Sequence, residues 1–135
     1  MIKEFKNEYE FLSNFYPFSF IILGIPVKTT VEHMYQAYKV DDPIRSHIIM
    51  SAATPGKAKR LGQQVKLRPN WEQLKVHVIM KSLLQLKFSD PTLRAMLLST
   101  GDEELQEGNT WGDTFWGVDL ETGEGENHLG NFLWS

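Results

Sequence analysis

Three short segments of the chain are bounded in the same way. "DDPIRSHIIM" opens on Asp42 and Pro43, "TPGKAKRLG" runs from Thr54 and Pro55 to Gly62, and "SDPTLRAMLLSTG" opens on Asp90 and Pro91 and closes at Gly101. A side-chain oxygen that accepts from free N–H groups, followed by a proline with no N–H to lose, starts a helix. A glycine past the last turn ends one. Proline is barred from helix interiors, so these segments cannot fuse into long rods. The middle of the chain must be a series of short helices joined by tight turns.

The flanking patterns fill in the rest. "TTVEHMYQAYKV" places Val31, Met34, Tyr35 and Tyr38 at helical spacing, with Thr29 as the expected cap. "NWEQLKVHVIMKSLLQLKF" predicts the longest helix, capped at Asn70 and running to about Phe88. "VKLR" before Pro69 reads as extended, and "GENHLGNFLW" predicts a closing helix. "FSFIILGIPVKT" reads as a hairpin or tight bend at Leu23–Gly24, with Pro26 marking its second arm as an edge. "IKEF", "ELQEG" and "TFWGV" read as further short strands. Strands, then helices, then strands is not the alternation of a doubly wound sheet. The expected fold is α+β and mainly helical, with a small antiparallel sheet, in a single domain over residues 1–135.

Composition narrows the function classes. With 41% hydrophobic and 12% aromatic residues the chain can bury a core. A net charge of -3 argues against a bulk electrostatic grip on nucleic acid and leaves room for a local basic patch. The absence of cysteine rules out a disulfide framework, a thiolate nucleophile and a Cys-built zinc site. The opening residues show no basic segment followed by an apolar leader. No apolar run approaches the roughly 20 residues needed to cross a bilayer. A soluble cytoplasmic protein without membrane association is expected. His33, His47, His77 and His128 lack a metal-ligand spacing, so neither metal nor cofactor is expected. No nucleophile elbow or Walker loop is present.

Several residues carry chemical potential, each with a plainer reading beside it. Glu32, Gln36 and Lys39 fall within about 60° of one another on a helix. They are either a capping box from Thr29 to Glu32 beside a solvated face, or a catalytic wall. In the second reading Glu32 is the carboxylate, Gln36 fixes a substrate hydroxyl, and Lys39 supplies an amine of lowered pKa. "FLSNFYPF" sets Ser13 and Asn14 between aromatics, to close a turn or to point into a pocket. "GNTWGDTFWGV" offers Asp113 as a second carboxylate, Trp116 as a stacking face and Gly117 for close backbone approach, or a turn with core tryptophans. Asn127, His128 and Asn131, with three glycines, sit near the start of the last helix, a place suited to a phosphate or sugar edge. Lys57, Lys59 and Arg60 form the one local basic cluster, either a phosphate contact or a solvated face. Trp71 either stacks on a base or belongs to the core.

Taken in series, "FLSNFYPF", "VEHMYQAYK", "AKRLG", "NW" before the long helix, "DTFWGV" and "GENHLGNFL" resemble the NADAR family of YbiA-like N-glycosidases, from about residue 5 to residue 134. The resemblance implies a multihelical fold with small strands and hydrolysis of N-glycosidic bonds. It implies two substrate classes: ADP-ribose on the amino group of guanine in DNA or RNA, and phosphorylated ribosylamino-pyrimidine intermediates of riboflavin synthesis. With the first goes a functional pairing with an ADP-ribosyltransferase. A non-catalytic ADP-ribose or NAD-binding module is the alternative. Matched by motif, Glu32 stands at the glutamate of the family's EHxxQ segment, with Gln36 and Lys39 completing that helix. Trp71 opens the long helix. Ser13 and Asn14 match the LSNF segment, Asp113, Trp116 and Gly117 the D-x-[FW]-W-G segment, and Asn127, Leu129 and Gly130 the GxNxLG segment. The expected roles are catalysis for Glu32, Lys39 and Asp113, stacking for Trp71 and Trp116, and phosphate contact for Lys57, Lys59 and Arg60. Two departures stand out: Gln63 sits where the family often has a basic residue, and Trp111–Gly112 adds a second Trp-Gly pair.

Overall fold

The computed structural model describes residues 1–134. Its elements, in order, begin with a 3-10 helix (Asn7–Leu12), strands β1 (Phe18–Ile22) and β2 (Ile25–Thr29), and helices α1 (Val31–Tyr38), α2 (Pro43–Met50) and α3 (Pro55–Gly62). A long helix follows, made of α4 (Trp71–Leu74), a π-helical stretch (Lys75–Met80) and α5 (Lys81–Lys87). Helix α6 (Pro91–Leu98), strands β3 (Gly108–Asn109) and β4 (Val118–Asp119) and helix α7 (His128–Trp134) complete the chain. The fold is α+β, mainly helical, with one small antiparallel sheet.

The proline-opened helices start where the punctuation sets them. Asp42 accepts from the Ile44 N–H at 2.9 Å and Thr54 from the Lys57 N–H at 3.1 Å. Leu23 and Gly24 both have positive φ, the geometry of a two-residue turn whose twist matches the strands it joins. Three expectations need correction. The cap of α1 is Thr30, whose hydroxyl accepts from the His33 N–H at 3.0 Å; Thr29 is the last residue of β2. The predicted continuous helix from Asn70 contains a π turn, in which the Lys81 N–H reaches back to Val76 O. The late strands are only two residues each and pair parallel; "IKEF" contributes a single bridge, Ile2 to Leu105, and "ELQEG" that bridge and the first residue of β3, Gly108.

Packing groups the chain into two compact units. The first spans Asn14–Asp90. Here α1 lies against α2 and α3 and, on another side, against α5 and the π turn. Ala37, Val40, Ile49 and Ala58 form a buried cluster, with Met50, Ala52, Leu61 and Val65 packed on it. Burying such aliphatic surface contributes about 25 cal/mol per Å². Gly62 matters to this seam, because a Cβ there would run into the Gln36 side chain. The C-terminal carbonyls of α1 are met by one residue. Arg68 donates from Nε to Tyr38 O (2.6 Å), from Nη2 to Val40 O (3.1 Å) and from its backbone N–H to Lys39 O (2.6 Å). Its positive charge also suits that end of the helix dipole.

The second unit joins Met1–Ser13 to the chain from Pro91 onward. Ile2 is clamped by its N–H to Glu104 O and by its carbonyl to the Gln106 N–H, both 2.9 Å. Phe5, Phe11, Leu12, Leu93, Leu105, Val118, Leu129 and Leu133 supply its buried apolar side chains.

Candidate active site

Helix α1 carries the reactive stripe. Glu32, Gln36 and the neighbouring His33 are all buried, which the solvated-face reading does not allow. Nor does Glu32 close a capping box with Thr29. Its carboxylate Oε1 instead accepts from Gln36 Nε2 at 2.7 Å, and its backbone N–H donates to Asn14 O at 3.0 Å. His33 is fixed by structure: Nδ1 meets the Thr30 hydroxyl at 2.8 Å and Nε2 meets Ala52 O at 3.0 Å.

Lys39 follows one turn on, half-buried, with Nζ 5.6 Å from the centre of the Tyr35 ring. Burial pushes its amine below the ordinary lysine value of 10.5; the Glu32 charge works against that shift, and the charges of Lys75 and Lys59 add to it. The three lysines and Glu32 therefore share one electrostatic neighbourhood. Three buried oxygens in this unit have no hydrogen-bond partner among the described residues: Gln36 Oε1, Asn14 Oδ1 and Thr29 Oγ1. Buried acceptors of this kind are rare in finished cores and ask for a donor from water or a ligand. Chemically, the arrangement offers a fixed carboxylate beside an amine that gives up its proton more readily than a surface lysine.

The remaining expected residues of this unit divide. Trp71 is 4% exposed and packs on Tyr35 at 5.3 Å between ring centres, so it backs the Tyr35 wall and offers no open stacking face. Lys59 is half-buried and joins the Lys39 neighbourhood, whereas Lys57 and Arg60 point from the exposed side of α3. Asn14 donates to Met80 Sδ at 3.7 Å and, through its carbonyl, anchors the start of α1.

In the second unit the expected residues build a frame. Asp113 Oδ1 accepts from the N–H groups of Phe115 (3.1 Å) and Trp116 (3.0 Å). Asn109, 2% exposed, exchanges two hydrogen bonds with the Asp113 backbone and donates to Glu107 Oε2 at 3.1 Å. Gly117 allows that approach, since a Cβ would strike Glu107 and Asn109. Asn127 spans Glu107 N–H and Leu105 O, Gly130 packs on the same carbonyl, and Leu129 is core. Trp116 and Phe115 meet edge to face at 4.9 Å, with the His128 ring against both. Ser13 ends the 3-10 helix, its N–H bonded to Glu10 O.

The decisive comparison is with families of known proteins. The model of the NADAR domain matches residues 2–135. The chain belongs to the NADAR family. It is similar to the E. coli protein YbiA, solved by NMR, with a TM-score of 0.81 and 33% identity over 98% of this chain and 80% of that one. An N-glycosidase of Nostoc punctiforme is 39% identical over 111 residues, 78% of this chain and 70% of the relative. A riboflavin biosynthesis protein of Vibrio vulnificus is 38% identical over 126 residues, covering 91% of this chain. The chain spans only 33% of that protein's length, and 18% of a chloroplastic riboflavin biosynthesis protein of Zea mays that it also resembles.

Within this NADAR domain the sequence reading passed over Lys75, Glu107, Asn109, Arg68 and Lys87. Lys75 lies at the start of the π turn, its Nζ 2.6 Å from Glu72, and acts on Lys39. The helical spacing of "NWEQLK" puts it one turn from Trp71, and only the packing of that helix on α1 brings it to Lys39. Lys87 is fully buried, with Nζ 5.0 Å from the Phe88 ring centre and 5.9 Å from that of Tyr16. Among the described residues no cluster of three His, Asp or Glu is placed to hold a metal, and no helix is long and apolar enough to cross a membrane.

Proposed function

We propose that this NADAR protein is an N-glycosidase that hydrolyses the C1–N bond of a ribosylated substrate, with ADP-ribose on a guanine base of nucleic acid as that substrate. The observation that carries the reading is the buried Glu32 carboxylate, held by Gln36, in the same electrostatic neighbourhood as the Lys39 amine. Breaking a C1–N bond passes through a ribosyl cation-like state, which a fixed negative charge stabilises. Glu32 faces C1 in this scheme. The C1–N bond breaks, water oxygen bonds to C1 as one of its protons passes to the Glu32 carboxylate, and the departing nitrogen takes a proton. Lys39 either delivers that proton or displaces the base nitrogen from the opened sugar as an imine, which water then cleaves. Lys59 and Lys75 take the diphosphate, and Gln36 Oε1 a ribose hydroxyl. Asp113 holds the loop that carries Trp116. An ADP-ribosyltransferase is the activity that would supply the substrate.

The Nostoc relative's name supports glycosidase chemistry. The net charge of -3 favours a nucleotide-sized ligand over long DNA, and a single extruded nucleotide meets that condition because it needs few phosphate contacts. A second reading rests on the names of the Vibrio and maize relatives: hydrolysis of a phosphorylated ribosylamino-pyrimidine of riboflavin synthesis. Incubation with ADP-ribosylated guanine DNA and with the pyrimidine intermediate, side by side, decides between them. Glu32→Gln is expected to fold and to lose at least about 100-fold in kcat on the true substrate, in the range seen for lost charge stabilisation. Full activity in that variant would remove Glu32 from the mechanism. Borohydride added during turnover, followed by peptide mass spectrometry, is expected to mark Lys39 if the imine route operates.

A further inference from the structure

Charge is divided unevenly between the two units. The unit spanning Asn14–Asp90 has eleven Lys and Arg against five Asp and Glu. The unit built from Met1–Ser13 and the stretch from Pro91 has three against twelve. The net charge of -3 is therefore the sum of a basic unit and a strongly acidic one. Segregation of this kind points to a polyanionic partner for the basic unit. That unit is the one that holds Glu32 and Lys39. Lys59 and Lys75, assigned above to a diphosphate, use only part of its excess.

Beyond Lys39, more of the excess converges on a groove. Its walls are the turn from α1 into α2 and the segment from Gln64 to Pro69. It encloses about 880 Å³, within the ~300–1,000 Å³ of sites that hold a nucleotide-sized molecule. Arg45, Lys66 and Arg68 line it, together with Asp41, Asp42 and Leu67. The Arg68 N–H is bonded to Lys39 O, so the groove opens at the end of α1, next to the reactive stripe. Arg68 lies 3.6 Å from Asp41 and Arg45 lies 3.7 Å from Asp42, both aspartates being exposed. Ion pairs so long and so placed contribute little, and a phosphate displaces them readily. Lys66 is exposed and makes no ion pair among the described residues.

We propose that this groove carries the single strand of nucleic acid that flanks the substrate base, with its phosphates on Arg45, Lys66 and Arg68. The proposal rests on the reading that the substrate base belongs to DNA or RNA; a free metabolite would leave these cations unused. A single strand offers charge to the cations and flat bases to the surfaces beside them. Tyr38 is 42% exposed, with its ring centre 6.0 Å from the Arg68 guanidinium carbon, and Leu67 is 44% exposed. A bilayer fits less well. Membrane-surface helices pair basic residues with apolar ones that insert, and the exposed Lys57, Arg60 and Gln63 at the neighbouring α3 offer none.

Fluorescence anisotropy with a labelled, unmodified oligothymidylate of about 12 nucleotides tests this over about 50–200 mM KCl. The logarithm of Kd is expected to rise with that of salt at a slope near ~2, about 0.7 for each of three phosphates. Arg45→Gln combined with Lys66→Gln, both at exposed side chains, is expected to cut the slope to about 0.7 and to weaken binding at least about tenfold. Binding of free ADP-ribose to that double variant is expected to stay at the wild-type value. An equal loss there would assign both cations to the diphosphate and overturn the proposal. No oligonucleotide binding by the wild type up to about 100 µM overturns it, as does undiminished binding in the double variant. Capture by phosphatidylserine vesicles in place of the oligonucleotide would hand the groove to a membrane surface and overturn it as well. The oligonucleotide carries no ADP-ribose, so the outcome is independent of turnover. Hydrolysis of ADP-ribosylated guanine without oligonucleotide binding removes the groove alone; oligonucleotide binding without any hydrolysis removes the glycosidase reading alone.

Discussion

Lys39 shows how a single residue's chemistry depends on neighbours that lie far apart in the chain. Burial lowers its pKa, Glu32 raises it, and Lys75 and Lys59 lower it further. Removing the carboxylate charge in Glu32→Gln is therefore expected to move the Lys39 titration to lower pH. Lys75→Gln is expected to move it to higher pH. NMR titration of ¹³C-methylated lysines reads both, and an unmoved midpoint in both variants would show that the three groups are not coupled. Part of this was legible in the sequence. The spacing of Glu32, Gln36 and Lys39 put them on one stripe, and that stripe is where the buried polar groups lie. Lys75 was not legible, because its place beside Lys39 comes from the packing of the long helix on α1, which no periodicity within one segment reveals. Asp113 was legible as a constrained residue but not as a loop fastener: a short carboxylate beside glycine serves either purpose, and only the bonds to Phe115 and Trp116 decide.

At the level of elements, the punctuation was the strongest signal, and its two slips are informative: Asn70 precedes the long helix with a positive φ and its side chain makes no cap bond, and the cap of α1 falls one residue late. Two threonines precede Val31, and both can cap a helix. The strand pairing decides between them, because Thr29 is still paired with Phe18 and only Thr30 is free to turn. Thr30→Ala is expected to destabilise the protein by about 1 kcal/mol in urea denaturation. Thr29→Val, which replaces a buried hydroxyl without a partner, is expected to be neutral or stabilising. The seam between α1 and α3 gives a second test, with a sign that opposes helix propensity. Glycine to alanine inside a helix ordinarily stabilises by up to about 1 kcal/mol. Gly62→Ala is expected to destabilise and to lower kcat, because the added methyl displaces Gln36 and with it the bond to Glu32. A more stable and fully active Gly62→Ala would mean that Gln36 has room to move. The parallel pairing of β3 and β4 was not legible, since two-residue strands carry no alternation to read.

For the whole molecule, global stability carries a signature of Lys87. Burial lowers its pKa from 10.5 to about 7. Between those two values the unfolded chain holds a proton that the folded chain has shed, so raising the pH through that window favours the fold. Below about pH 7 the charged amine sits buried and the gain is absent. Lys87→Met is expected to abolish this rise: wild type gains on the variant between pH 7 and pH 10 in chemical denaturation. A constant difference across that range would place the titration elsewhere. Sequence patterning could not foresee such a site. Lysines on amphipathic helices are ordinarily solvated, and only the placement of Tyr16 and Phe88 around this one reverses the expectation. The family and the mainly helical fold were legible because six separated motifs had to agree in order, which no single glycine loop could achieve.

The division of the chain into a continuous unit and a split one also governs the order in which the protein can be made. Residues Asn14–Asp90 form a unit whose every part has been synthesised before Pro91 is added. The other unit needs both Met1–Ser13 and the last stretch, because Ile2 is clamped by Glu104 and Gln106. At about 5–20 residues per second, synthesis of that stretch takes several seconds. During that interval the segment that carries Glu32 and Lys39 emerges with the rest of its own unit, while Met1–Ser13 wait for partners that have yet to be translated.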